Sequence, residues 1–195
     1  MDQPDALRLV DRCRSGEQEA VTRLVQTYQP TVYRLALSIL DDASDADEAT
    51  QETFLAALRS LADYRGQSGL RTWLFAIGLN ICRSRLRQRH TRLHLHQLLQ
   101  GAWLTGADPV APESAVVQRQ ANDALWQAVQ SLGERHRLPV ILRYYHDLPV
   151  DEIAAVLGIN AGTVHSRLSI ARDRLRVALG SPAKVRSEAE PKWQP

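Results

Sequence analysis

Apolar residues recur with the period of amphipathic helices through nearly the whole chain, and no stretch alternates apolar with polar residues as a half-buried strand would. Val21, Leu24, Val25, Tyr28, Val32, Leu35, Ala36 and Ile39 form one such stripe. Pro30 falls inside it and is expected to start a new helical turn or kink the helix, because proline lacks a donor and clashes with the turn before it. Ser44, followed by Asp45 and Asp47, reads as the next helix start, since acids favour the positive first turn. That helix is expected to bury Phe54, Leu55, Leu58 and Leu61. Residues 64–69 (YRGQSG) interrupt the period with two glycines and a serine and read as a loop. Beyond them Trp73, Leu74, Ile77 and Ile81 mark the inward face of another helix.

The period lapses over residues 101–114 (GAWLTGADPVAPES), whose two glycines and two prolines mark a linker and a domain boundary. The leucines of 93–104 and Trp103 are expected to pack against something. Periodicity returns at Leu125, Val129, Leu132, Val140, Ile141 and Tyr144 and runs to Leu179. The tail that follows is polar and proline-containing, and is expected to be disordered. The predicted fold class is all-α: two small helical domains, 1–92 and 119–179, joined by a flexible linker, 93–118, with a tail at 180–195.

Bulk composition bounds this picture without sharpening it. A chain of 195 residues, 44% hydrophobic and 24% charged, is ordinary globular material with room for one large or two small cores. The net charge of +2 is uninformative, but its distribution is not. Residues 41–52 carry Asp41, Asp42, Asp45, Asp47, Glu48 and Glu52 with no Lys or Arg, and residues 83–92 carry Arg83, Arg85, Arg87, Arg89 and Arg92 with no acid. Such opposed blocks suit a basic partner on one surface and an acidic one on another. Cys13 and Cys82 form no CxxC pair, which points to a reducing cytoplasm; Cys82 reads as buried and inert, and Cys13 is open to exposure. The acidic N-terminus has no apolar signal core, and no run approaches the ~18 apolar residues of a membrane span, so a cytoplasmic protein without membrane insertion is expected.

The sharpest chemistry lies in VDEIAAVLGINAGTVHSRLSIARDRLRVAL, residues 150–179. Ile153, Ala154 and Leu157 line a first helix, Gly158 suits the left-handed residue that ends it, and Asn160 suits the N-cap of a second helix anchored by Val164 and Leu168. This is the spacing of a helix-turn-helix whose second helix enters the DNA major groove. The bland alternative, a helical hairpin with a glycine turn, does not explain why cap, turn, anchors and following arginines agree. Upstream, Asn80, Arg83 and Arg87 share a helical stripe, with arginines for phosphates and asparagine for base edges. A solvated basic face is the rival there, and a second DNA signal in the same chain tips the balance. For the acidic helix, a solvated face and a docking surface stand even. His90, His94 and His96 cluster beside the linker, but no Cys or carboxylate completes a metal site, so no metal and no cofactor is expected. No catalytic constellation emerges, and the chain is read as not an enzyme.

The segments DADEATQETFLAALRSL, YRGQSGLRTWLFAIGLNICRSRLRQR and DEIAAVLGINAGTVHSRLSIARDRLR, in that order and separation, resemble the extracytoplasmic-function (ECF) sigma factors of the sigma-70 superfamily, over about residues 17–179. The resemblance implies a subunit that directs core RNA polymerase to promoters. It implies that Asp45, Asp47, Glu48, Gln51, Glu52, Phe54 and Leu58 dock on the clamp helices of the largest polymerase subunit, and the second domain on the flap. Tyr64, Arg65, Gly66, Gln67 and Ser68 would hold a base flipped from the non-template strand; Asn80, Arg83, Ser84 and Arg87 would contact the minus-ten element. Thr163, His165, Ser166, Arg167, Ser169 and Arg172 would face the minus-thirty-five element. The linker would thread the polymerase channel, and an anti-sigma factor would hold the protein inactive. The chain departs from the family at His165, where Lys or Arg is common, and at Ile170, where Arg is common, which weakens the expected phosphate and base contacts to the minus-thirty-five element. Trp73 sits where primary sigma factors carry a DNA-wedging tryptophan, but on this apolar stripe it reads as core. Two rivals remain. A free-standing helix-turn-helix regulator would have no use for the TWL…NICRSR segment, and a recombinase or nuclease would need converging catalytic residues rather than acids in a row.

Overall fold

The computed structural model describes residues 3–100 and 118–180. The linker residues 101–117, with Trp103, and the tail 181–195 lie outside them, as do the side chains of His90, His94 and His96. Every described element is helical.

Helix α1 (Gln3–Arg14) buries Ala6, Leu9, Val10 and Cys13, a helical spacing not singled out in the sequence; Cys13 is thus covered rather than exposed. Helix α2 (Gln18–Leu40) runs unbroken through Pro30. No new helix starts at Pro30: Pro30 and Gln26 are both exposed, so the carbonyl deprived of its donor can be hydrated. Helix α3 (Ala43–Arg59) starts at Asp42 rather than Ser44: the Asp42 side chain accepts from the Asp45 backbone N–H at 2.8 Å. Its inward face is Ala46, Ala49, Thr50, Thr53, Phe54 and Ala57, which turns Leu55, expected in the core, outward to 54% exposure. A 3₁₀ turn (Leu61–Asp63) leads through the 64–69 loop into helix α4 (Leu70–Gln100), 31 residues long. These elements form the first domain, with Leu24, Leu61, Leu70 and Leu74 in one cluster under α1.

The second domain has helices α5 (Gln118–Ser131) and α6 (Glu134–Val140), a π-helical turn (Ile141–Tyr145), and helices α7 (Val150–Leu157) and α8 (Ala161–Ala178). The wide turn closes with His146 N–H donating to Ile141 O at 3.2 Å. Asp147 follows in the left-handed region at φ 52°.

The two domains pack on each other. Leu35, Ile39, Phe75 and Leu79 of the first share one apolar cluster with Leu142, Leu148 and Ile153 of the second. At its edge Thr72 Oγ1 donates to Glu152 Oε2 at 2.6 Å, and Arg83 Nε donates to Glu134 Oε1 at 2.8 Å. Buried His146 fills the middle, 3.3 Å from Ser38 Oγ and edge-on to Phe75 with centroids 5.2 Å apart.

Candidate nucleic-acid interface

The helix-turn-helix is formed by α7 and α8. Ile153, Val156 and Leu157 point inward from α7, and Gly158 ends it at φ 65°, a conformation glycine adopts without penalty. Asn160 Oδ1 then accepts from the Thr163 backbone N–H at 2.7 Å and from the Thr163 hydroxyl at 2.8 Å. The cap that starts α8 therefore occupies the Thr163 hydroxyl as well. Val164, Leu168 and Ala171 bury the inner face. His165, Ser166, Ser169 and Arg172 stand exposed on the outer one, with Arg167 half-buried at its edge.

Arg135 and His136 of α6, not anticipated from the sequence, line a cleft with Asn160, Gly162, Thr163, Ser166 and Arg167. Burial, then Arg174, Arg135 and Arg167, push the His136 pKa below its usual value. Arg135 and Arg167 thus bring positive charge to the N-terminus of α8. The charged opening of α6, GERHR, was the visible signal.

On the first domain, Asn80 and Arg87 are exposed on α4 and Ser84 is half-buried beside them, while Arg83 of the same stripe is paired with Glu134. In the loop, Arg65 and Gln67 are exposed and Ser68 is half-buried. Tyr64 is only 3% exposed: its ring lies against Trp73 at 5.2 Å and its hydroxyl donates to Ser68 O at 2.8 Å. It shapes the loop from inside rather than offering a contact surface. Trp73 is partly buried in this core.

The acidic and basic blocks meet each other. Arg85 of α4 donates to Glu48 at 2.9 Å and to Glu52 at 2.6 Å, with Asp45 at 3.6 Å. The bonds to Glu52 and Glu48 hold the guanidinium pKa above its ordinary value. The remaining outward face of α3 presents Asp47, Gln51 and Leu55; Leu58 is half-buried and Phe54 buried, so Leu55 rather than Phe54 is the exposed large apolar side chain of this helix. Sequence reasoning missed Leu55 because neighbours one residue apart on a helix stand ~100° apart, and an apolar pair does not reveal which member faces in.

Residues 24–92 match the family description Sigma-70 region 2, and residues 122–175 match Sigma-70, region 4. The RNA polymerase sigma-H factor of Pseudomonas aeruginosa is 31% identical over 179 residues, covering 88% of this chain and 92% of its own. The chain belongs to the ECF sigma factors. The ECF RNA polymerase sigma-E factor of Escherichia coli strain K12 is 30% identical, over 86% of this chain and 90% of its own. SigW of Bacillus subtilis is 28% identical, over 87% and 94%. The solved structure of CnrH in complex with the cytosolic domain of CnrY superposes with a TM-score of 0.65 at 27% identity, covering 93% of this chain and all of that one. As a sigma factor the protein is a transcription initiation factor that directs RNA polymerase to promoters, not an enzyme. Region 2 comprises α2 to α4, and region 4 carries the helix-turn-helix. No helix among the described residues is long and apolar enough to cross a membrane.

Proposed function

We propose that this sigma factor acts in the cytoplasm and docks on the clamp helices of core RNA polymerase through Asp47, Glu48, Gln51, Glu52 and Leu55 of α3, and on the flap through region 4. It reads the minus-thirty-five element with His165, Ser166, Arg167, Ser169 and Arg172, with phosphates held at Arg135 and His136. Asn80, Ser84 and Arg87 read the minus-ten element, joined by Arg83 once it leaves Glu134, and Arg65 and Gln67 receive one extruded base. The observation that carries the reading is the capped α8 with its exposed polar face, joined in one chain to the Asn80–Ser84–Arg87 face.

The packed domains add a requirement. Elements about 25 base pairs apart are separated by about 85 Å of duplex at ~3.4 Å per base pair. Here Arg83 of one DNA face touches Glu134, whose chain neighbour Arg135 lines the other DNA face. The chain must therefore open to bind a promoter, and an anti-sigma factor that favours the packed form would silence it. CnrH, one structural neighbour, is seen with the cytosolic domain of CnrY.

Promoter-specific transcription with bacterial core polymerase, with and without the protein, tests this beside DNA binding by the free chain. Initiation that needs the protein, with weak binding by the free chain, is the expected result. Tight duplex binding by the free chain without association to core polymerase would favour a free-standing regulator.

A further inference from the structure

The 64–69 loop is held by a helix that precedes the matched span of region 2, residues 24–92. Arg14, the last residue of α1, reaches a turn 47 positions along the chain. Its Nε and one terminal nitrogen donate to Leu61 O at 3.1 and 3.0 Å. The same nitrogen donates to Ala62 O at 3.4 Å and to Tyr64 O, while the other is held by Asp11 Oδ1 at 2.9 Å. A guanidinium suits this task, because its planar fork of donors serves several carbonyls at once and an ammonium does not. About two helical turns earlier, Leu7 lies against Gly66: a Cβ there would stand 2.9 Å from Leu7 Cδ2, and Gly66 has φ +70°.

The loop is thus held at alternate residues. Arg14 takes the Tyr64 carbonyl, Leu7 packs on Gly66, and the Tyr64 hydroxyl takes the Ser68 carbonyl. Arg65 and Gln67, between the held positions, remain exposed. Extruding a base from a stack is costly, and a pocket that must first order itself gives back part of what it gains on binding.

We infer that α1 braces the base-receiving loop, with Arg14 and Leu7 as positioning residues that fix its backbone so that Arg65 and Gln67 meet one extruded base in one geometry. The inference rests on the reading of this loop as a base pocket. Arg14 and Leu7 touch no DNA themselves. They set how sharply the loop distinguishes one base from another, not whether the protein binds polymerase.

The test uses the full chain on bacterial core polymerase and a promoter fragment recovered by selecting transcribed templates from a library randomised across the minus-ten region. Permanganate reactivity of unpaired thymines measures opening on the selected fragment, on its single-base changes, and on a fragment abasic at the position most sensitive to base identity. Arg14→Lys and Leu7→Ala are each expected to reduce discrimination at that position by about tenfold, the scale of one lost charge-assisted bond or packed support. Core binding and opening of the abasic fragment should stay at the wild-type level. Unchanged discrimination in both variants would overturn the brace, as would an equal loss on the abasic fragment or in core binding, which marks a purely structural role. If Arg65→Ala and Gln67→Ala leave every base preference of the otherwise wild-type protein intact, the pocket reading itself fails and the brace with it. Sensitivity to those two changes without sensitivity to Arg14→Lys or Leu7→Ala removes the brace alone.

Discussion

Asn160 and Arg85 are single residues whose removal has calculable effects. Asn160 satisfies the first turn of α8 through the Thr163 N–H at 2.7 Å. Asn160→Ala is expected to cost about 1 kcal/mol and to lower the melting temperature by a few degrees in a thermal scan. On the proposed reading, minus-thirty-five binding should weaken with it, since the cap also orients the N-terminal end of α8. Arg85 neutralises Asp45, Glu48 and Glu52, and its own side chain is only 18% exposed. Arg85→Ala leaves three acids on one helical face to repel each other, with an expected loss of about 1 kcal/mol. Repeating the denaturation in 1 M salt, where screening acts within ~3 Å, should shrink that loss; an undiminished loss would mean that Arg85 acts through packing instead. The cap was legible in the sequence because its partner lies three residues away. Arg85 was legible only as a member of a basic run, because the partners that occupy it sit on another helix.

At the scale of elements, α2 carries an avoidable cost. Pro30 removes one backbone donor from an exposed stretch of an otherwise continuous helix. Pro30→Ala is expected to stabilise the protein by about 2 kcal/mol: helix interiors favour alanine by about 3, less the up to about 1 that proline contributes by restricting the unfolded chain. A higher urea midpoint at constant slope would verify it, and a lower midpoint would mean that Pro30 shapes the helix in a way its exposure does not reveal. The helices other than α1, the 64–69 loop and the turn at Gly158 were readable from period and punctuation. The start of α3 was misplaced by two residues because Asp42 and Ser44 are both competent caps, and only the backbone decides which is used. The π-helical turn had no sequence signal, since one extra residue in a turn leaves the apolar pattern almost unchanged.

For the whole molecule, the contact between the domains should respond to pH through His146. Burial, with Arg34 and Arg71 nearby, pushes its pKa down to about 4, and Asp147 only partly opposes this. Ser38 of α2, Phe75 of α4 and the adjacent Tyr145 complete its surroundings. A histidine harder to protonate in the packed form than in water gives packing its full strength above pH ~6.5 and loses it progressively down to about 4, by up to about 3 kcal/mol. Small-angle scattering should record a growing radius of gyration across that window, and His146→Phe should flatten the change above pH 5. An identical profile in the variant would shift the cause to other groups.

The sequence by itself determined the helical class, the two units, the helix-turn-helix and the family, because each rests on residues close together in the chain and on a period that burial imposes. Tertiary structure alone decided what the inward faces meet. Ser38 and His146 are 108 residues apart, and Thr72 and Glu152 are 80 apart. A hydrophobic period states that a residue is covered, not by what. Whether Arg83 is free for DNA or held by Glu134 was therefore settled only when the domains packed.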